Sequence, residues 1–275
     1  MQLQPLRNNN DQFNQYIGNP DLKQSFTNTV DISHNSYNFI KDLWSYASLN
    51  ASSVSNAITN NRNIDAASGK ITFQPVNTNG NLSASLWSGI GFKAKKINTR
   101  FQLSPSFNYS KFADIINNQS SFSETLSSSF SFFVSKSKEK KYDFSVNSNF
   151  GFNRNTNAQI IGANSFRTLS SGLSGMVYLK KVWSIEFDYA YQARQRTLQF
   201  SENLNFQLLN AKIQRTFAKD VFTVYIIARD ILNQNIGISQ NFFGNTYSQT
   251  INDRLQRYFL LGLKWDFKTK AEIKK

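Results

Sequence analysis

An alternation with period two runs through this chain, and it returns in segment after segment. Tyr142, Phe144, Val146, Phe150 and Phe152 stand at even positions against Asp143, Ser145, Asn147 and Asn149. Trp183, Ile185, Phe187, Tyr189 and Tyr191 stand at odd positions against Ser184, Glu186, Asp188, Gln192, Arg194 and Arg196. Leu126, Phe130, Phe132 and Val134 alternate with serines and a threonine. Leu82, Ala84, Leu86, Ile90 and Phe92 repeat the pattern, as do Phe101, Leu103, Phe107 and Tyr109. Near the C-terminus Phe259, Leu261, Leu263, Trp265 and Phe267 share one face. Tyr258, Leu260, Gly262, Lys264 and Asp266 share the other. Successive side chains of a strand point to opposite sides, so this pattern writes a sheet with one apolar and one polar face. The apolar residues are also good strand formers.

What covers the apolar face follows from composition. The chain carries 25 Phe, 11 Tyr and 4 Trp in 275 residues, yet only 17% of it is charged. Its mean hydropathy is −0.45. The polar remainder is Asn, Ser, Gln and Thr. A soluble globular domain carries its solubility mainly on Lys, Glu, Arg and Asp. Neutral polar residues alternating with aromatics suit a wall with lipid on one side and water on the other. No stretch of about 18 apolar residues is present, so no transmembrane helix is expected. The absence of cysteine rules out a disulfide, a thiol nucleophile and a cysteine metal site. The first ten residues lack a basic start followed by an apolar core and are not a signal peptide. The expectation is that Met1 is not the natural start and that the chain is a fragment.

Boundaries at the turn signals predict strands at 25–38, 43–58, 70–92 (kinked at Asn79-Gly80), 97–112, 121–135, 141–154, 165–180, 182–199, 203–217, 220–228 and 254–267. That is about eleven, many longer than the roughly 9–11 residues that cross a bilayer and than the roughly 5–6 of a soluble sandwich. The connections sort by parity. Those at 39–42, 93–96, 136–140, 180–182 and 218–219 are short and often basic. Those at 59–69, 113–120, 155–164 and 229–253 are longer and rich in Asn, Ser and Gln; only 200–202 is short in this set. Short turns at one end and long loops at the other match the periplasmic and extracellular ends of an outer-membrane barrel. Pro75 and Pro105 fall inside expected strands, where proline removes a ladder bond and calls for a bulge or a strand end.

The net charge of +14 raises nucleic acid as a partner. The lysines, however, gather at Lys93-Ala-Lys-Lys96, at Lys136-Ser-Lys-Glu-Lys-Lys141, at Lys180-Lys181 and in the tail, where turns belong. Solvated turns are therefore favoured over nucleic-acid binding. His34 is the only histidine, and it shares the parity of Phe26, Val30 and Ile32. Glu186 and Asp188 share a face with Arg194 and Arg196. A ladder of charges lining a lumen, joined by Lys264, is a simpler account than paired carboxylates at work on a glycoside. Gly89-x-Gly91 lacks a following helix and is no phosphate loop. No catalytic residue, cofactor site or metal site is expected, and the chain is not read as an enzyme.

Three motifs carry a resemblance. Gly262, Trp265 and Phe267 occupy the spacing Gly-x-x-aromatic-x-aromatic, which resembles the C-terminal signal by which Gram-negative outer-membrane barrels are recognised for insertion. Tyr16-Ile-Gly-Asn-Pro-Asp-Leu-Lys23, with Gly18, Asn19 and Pro20 as turn formers, resembles a segment that leads into a strand in the barrel half of TonB-dependent receptors and the related outer-membrane β-barrel family. Ala228-Arg-Asp-Ile-Leu-Asn-Gln-Asn235, with Asp230 and Asn233 as turn formers, resembles the turn before the final strand in the same families. The resemblance implies an all-β, antiparallel transmembrane β-barrel of about eleven strands, half of a larger barrel, in the Gram-negative outer membrane. Residues 1–24 would be an extracellular loop segment, 25–267 the barrel strands and 268–275 a basic periplasmic tail. The implied partners are outer-membrane lipid, the barrel-assembly machinery, and a missing N-terminal plug with upstream strands. The implied function is uptake of a bulky ligand. A structural or adhesive outer-membrane barrel is the alternative, and a soluble β-rich binding protein ranks below both.

Overall fold

The computed structural model describes residues 3, 7–8, 11, 13–157, 164–180, 182–197, 200, 203–218, 221–235, 237–243 and 246–267. The basic tail 268–275, and residues 158–163, 181, 201–202 and 219 of the expected connections, lie outside the described residues. The strands in chain order are β1 (Arg7–Asn8), β2 (Asn14–Ile17), β3 (Phe26–Asn38), β4 (Leu43–Ser55), β5 (Ala57–Ile64), β6 (Ile71–Thr78), β7 (Asn81–Ala94), β8 (Thr99–Ile116), β9 (Gln119–Lys138), β10 (Tyr142–Asn157), β11 (Asn164–Leu179), β12 (Trp183–Arg194), β13 (Leu204–Phe217), β14 (Phe222–Arg229), β15 (Ile238–Phe243), β16 (Thr246–Ile251) and β17 (Tyr258–Trp265). A single 3-10 turn, Lys95–Ile97, is the helical element among the described residues.

Eleven strands form one antiparallel path, β3-β4-β7-β8-β9-β10-β11-β12-β13-β14-β17. The register carries a single face across it. Val30 lies opposite Ala51, Ala51 opposite Ala84, Ala84 opposite Tyr109 and Tyr109 opposite Leu126. Farther on, Phe150 lies opposite Leu169, Leu173 opposite Tyr189, Ile213 opposite Ile226 and Ile226 opposite Leu261. Residues opposite each other in a ladder share a side of the sheet, so the alternation of each strand sums to one continuous apolar face.

Three expectations need correction at one end of this sheet. Residues 59–69 are not a loop: β5 and β6 form an antiparallel hairpin there. The expected strand 70–92 is two strands with different partners, because Gly80 takes φ +90° and turns the chain out of β6 into β7. Residues 113–120 are not a long loop either. β8 and β9 stay paired as far as Ile116 and Gln119 and turn on Asn117-Asn118 alone, both at positive φ. Asn tolerates the left-handed region that a two-residue hairpin turn demands. Within 229–253, β15 and β16 form a further hairpin of their own.

The prolines are accommodated without a change of register. Pro75 sits in β6 opposite Asn60, and its carbonyl accepts a bond from Asn19 Nδ2 at 3.0 Å. At Pro105 the ladder between β7 and β8 is interrupted at Ser88 and Gly89 and resumes in the same register from Ile90 and Leu103. Ser88 Oγ donates to the Pro105 carbonyl at 3.4 Å across that gap.

Among the described residues the sheet does not close: β3 bonds only to β4, and β17 only to β14. Each antiparallel step reverses direction, so the first and eleventh strands of the path run the same way. The described residues also form no ordinary core. Among the described residues the buried hydrophobic side chains are Ala57, Ala113 and Phe200.

Candidate membrane-spanning wall

Most of the large apolar side chains of the path stand on one face of the sheet, and they stand in the open. Val30 is 57% exposed, Phe150 50%, Leu263 68% and Leu261 77%. Phe107, Phe132, Ile185, Ile213 and Phe259 are exposed on the same face. A water-soluble protein does not display a contiguous apolar surface of this extent. The charges on this face mark its margins. On β9 they are Lys136 toward the short-turn end and Glu124 toward the other, with Val134, Phe132, Phe130, Ser128 and Leu126 between. Twelve residues at about 3.3 Å each span about 40 Å along the strand, or about 30 Å in height at the usual tilt near 40°. That covers the roughly 25 Å apolar band of an outer-membrane barrel. Lys111 of β8 faces Glu124 and pairs with it at 3.3 Å at the far margin.

Aromatic residues crowd the short-turn margin of the same face. Phe92 stacks on Phe101 with centroids 5.3 Å apart, Phe222 stacks on Trp265 at 5.3 Å, and Tyr142 lies 5.7 Å from Phe144. Such a girdle belongs at the boundary between headgroup and hydrocarbon. A polar pair within the apolar face satisfies itself: the Ser148 and Ser171 hydroxyls are 2.8 Å apart.

The opposite face is polar and knits itself together. Hydroxyls meet across rungs at Ser52–Ser83, Ser106–Ser129 and Ser145–Ser174, at 2.7–2.8 Å. Asn149 Nδ2 donates to Ser131 Oγ at 2.6 Å, and Asn210 Nδ2 to Asp188 Oδ1 at 3.1 Å. Neutral polar side chains suit this role, because each can both give and accept. The face also holds aromatics over glycines. A Cβ at Gly89 would meet the Tyr46 ring, and one at Gly262 the Tyr225 ring.

A matching family model decides what this wall is: the outer membrane protein beta-barrel family covers residues 115–265, from the end of β8 through β17. The chain belongs to that family. It is a β-barrel protein of the cell outer membrane, and its apolar face is the one such a protein turns to lipid. No curated protein matches the chain.

Within this family frame the residues singled out from sequence take these places. Glu186, Asp188 and Arg194 lie on the polar face of β12, and the ladders through β13 and β14 put Lys264 on that face too. Arg196 does not belong to it as a strand residue, because β12 ends at Arg194. Arg194 lays its guanidinium 5.5 Å from the Phe166 centroid and 4.6 Å from that of Phe200. Phe144, Phe150, Phe187, Tyr189, Phe259, Leu263 and Trp265 share the apolar face, and His34 lies on it opposite Ala47. Gly262 stands opposite Tyr225 on the polar face. Trp265 closes β17, and Phe267 follows with its ring 4.2 Å from that of Trp265. Among the described residues no group of His, Asp and Glu has the arrangement to hold a metal ion.

The turn residues hold the ends. Asn19 Oδ1 accepts from the Asp21 N–H at 3.0 Å, beside the buried Gly18 and exposed Pro20. Asp230, buried and at φ +46°, accepts from the N–H groups of Gln234 and Asn235 at 3.0 and 3.1 Å. Asn233, at φ +56°, accepts from the Arg257 N–H at 3.1 Å and so ties the start of the long connection to its end.

Other residues do work that sequence reasoning missed. Asn77 accepts from the Lys23 N–H at 2.6 Å and donates to the carbonyls of Lys23 and Asn56 at 2.9 and 2.8 Å. Asn61 and Asn118 exchange bonds, and Arg62 pairs with Asp114 at 2.7 Å, which pins β5 parallel to the end of β8. In the β5–β6 turn, Ser68 Oγ and the Ala67 N–H donate to Asp65 and hold its carboxyl below the ordinary range. The signal present in the sequence was the Asn-Asn dipeptide, a turn of two residues rather than a loop of eight.

Proposed function

We propose that this chain forms the C-terminal strands of an outer-membrane receptor of the TonB-dependent type that takes up a bulky ligand. The observation that carries the reading is the open, odd-stranded path. With β3 and β17 running the same way, further strands, odd in number, are needed for antiparallel closure. Barrels of many strands enclose an aqueous or plugged lumen, whereas eight strands leave an interior that side chains fill. In the closed barrel the polar face lines that lumen, with Glu186, Asp188, Arg194 and Lys264 on its wall. The motifs at Gly18-Asn19-Pro20 and at Asp230 to Asn233 support the same family of receptors. The chain carries no catalytic role in this reading. Its partners are outer-membrane lipid, the barrel-assembly machinery, upstream strands and a plug.

The hairpins β5–β6 and β15–β16 at the long-loop end favour a second reading, a barrel that displays adhesive surface without transport. Gene deletion separates the two. Loss of uptake of a bulky solute, with uptake in the parent strain abolished by collapse of the inner-membrane proton gradient, supports the receptor. Unchanged uptake with lost surface attachment supports the adhesive barrel and overturns the receptor.

A further inference from the structure

Arg215 is a cation on the lipid side of the wall with no acceptor among the described residues. It lies in β13 opposite Trp183 and Val224, on the apolar face, and its side chain is exposed. Its guanidinium carbon sits 5.2 Å from the Trp183 centroid and 4.6 Å from that of Phe217. Both rings belong to the short-turn margin. None of the ion pairs or hydrogen bonds among the described residues involves this guanidinium. Among the described residues the charges of that margin on the apolar face are Lys136, Lys138 and Arg215, all positive and all exposed. The nearby turns add Lys41, Lys95, Lys96, Lys140, Lys141 and Lys180. Of the described acidic groups at this end, Asp266 pairs with Lys264 at 3.0 Å, Glu139 with Lys140 at 3.9 Å, Asp42 accepts from the Tyr37 hydroxyl at 3.3 Å, and Asp143 lies on the polar face.

A guanidinium held by aromatic faces keeps its N–H edge free, and that fork matches two oxygens of a phosphate. In the membrane the group that reaches this depth on the lipid side is a lipid headgroup. We propose that Arg215, set by Trp183 and Phe217, is a binding site for the phosphate of an anionic glycerophospholipid in the leaflet at the short-turn end, with the neighbouring basic turns supplying long-range attraction. The site lies on the lipid-facing wall and does not depend on what, if anything, the lumen carries. A zwitterionic lipid offers the same phosphate but brings a cation that the basic margin repels, so the site selects net negative charge. Each basic group close to an anionic surface favours binding by about fivefold, and salt screens the effect.

The test is native mass spectrometry of the closed barrel, this chain together with the strands that seal its two edges, released from bilayers of mixed phosphatidylglycerol and phosphatidylcholine. The unaltered protein should carry several-fold more phosphatidylglycerol than phosphatidylcholine adducts, and rising salt during equilibration should shrink the excess. Arg215→Gln should lose most of the excess. Arg215→Lys, which keeps the charge without the planar fork, should retain an intermediate share. Lys93→Gln, which removes a cation from the opposite face at the same end, should lose far less than Arg215→Gln. Equal adducts on the unaltered protein would overturn the proposal without recourse to any variant. So would an Arg215→Gln protein that keeps the full preference, or a Lys93→Gln protein that loses as much as Arg215→Gln.

Discussion

Phe187 and Asp188 are neighbours in β12 that meet opposite solvents. Phe187 faces Ala211 on the apolar side, while Asp188 takes a bond from Asn210 on the polar side. Arginine near the midplane of the lipid face costs about 2–4 kcal/mol. In the barrel closed by its further strands, Phe187→Arg should therefore depress folding into lipid vesicles far more than Asp188→Arg, read as the heat-sensitive mobility shift of the folded barrel on a gel. Equal yields for the two would mean that the faces are assigned the wrong way round. Asp230 allows a second comparison. Its replacement by alanine leaves two N–H groups without their acceptor and a Cβ residue without side-chain support at φ +46°. Together these should cost about 2–4 kcal/mol in the denaturant midpoint of the folded protein. Asp230→Asn keeps an acceptor and should lose less. Asp65 gives a pH dependence outside the membrane. Its carboxyl is depressed by the Ser68 hydroxyl first and the Ala67 N–H second. The support it gives the β5–β6 turn is complete above the unfolded carboxyl range near 4 and is lost as pH falls through the lower folded value. Titration of Asp65 by NMR should show that lowered midpoint, and Asp65→Asn should remove the acid-linked loosening of the turn.

At the scale of elements, the β5–β6 hairpin is where the structure goes beyond what alternation announces. The strands that cross lipid were legible because each presents a largely apolar face, as Phe144 to Phe152 and Trp183 to Tyr191 do. β5 has no such duty. Its sequence, Ala57-Ile-Thr-Asn-Asn-Arg-Asn-Ile64, reads as a polar loop because both sides of it meet water or other polar groups. The tops of β8 and β9 were hidden for the same reason: Asp114, Gln119 and Ser120 look like loop residues, yet the ladder continues through them. Only tertiary partners specify these pieces. Arg62 with Asp114 and Asn61 with Asn118 fasten the hairpin, and the Arg62–Asp114 pair is partly shielded from water. Arg62→Ala should raise hydrogen exchange across Ala57–Ile64 while leaving β10 to β13 protected. A cycle with Asp114→Ala should return a coupling of about 1–2 kcal/mol. Unchanged exchange in β5 would mean that the backbone pairing alone holds it. The face of Arg194, Glu186 and Asp188 was readable from parity. The end of β12 before Arg196 was not, because nothing in Gln195-Arg196-Thr197 changes the polarity of the run.

For the whole molecule the decisive quantity is the direction of its two edges. β3 is exposed along its full length, and β17 along most of it. Pairing them would place two parallel strands at the seam of an otherwise antiparallel wall. A second copy in the same orientation meets the same obstacle, since its β3 would also lie parallel to the first copy's β17. In lipid each unpaired N–H or C=O of such an edge costs several kcal/mol. The 275-residue chain refolded by itself should therefore neither close nor conduct, and should associate or aggregate through its edges. Cysteines placed at Val30 and Leu261, which stand on the two edge strands, should fail to join within one molecule. Planar-bilayer recording should show no discrete, long-lived conductance. Addition of a segment bearing an odd number of strands that pairs with both edges should restore a heat-modifiable monomer and protect β3 from exchange. Steady single channels from the chain alone, together with efficient intramolecular crosslinking of Val30Cys to Leu261Cys, would show that the sheet seals through a parallel seam and that no further strands are needed.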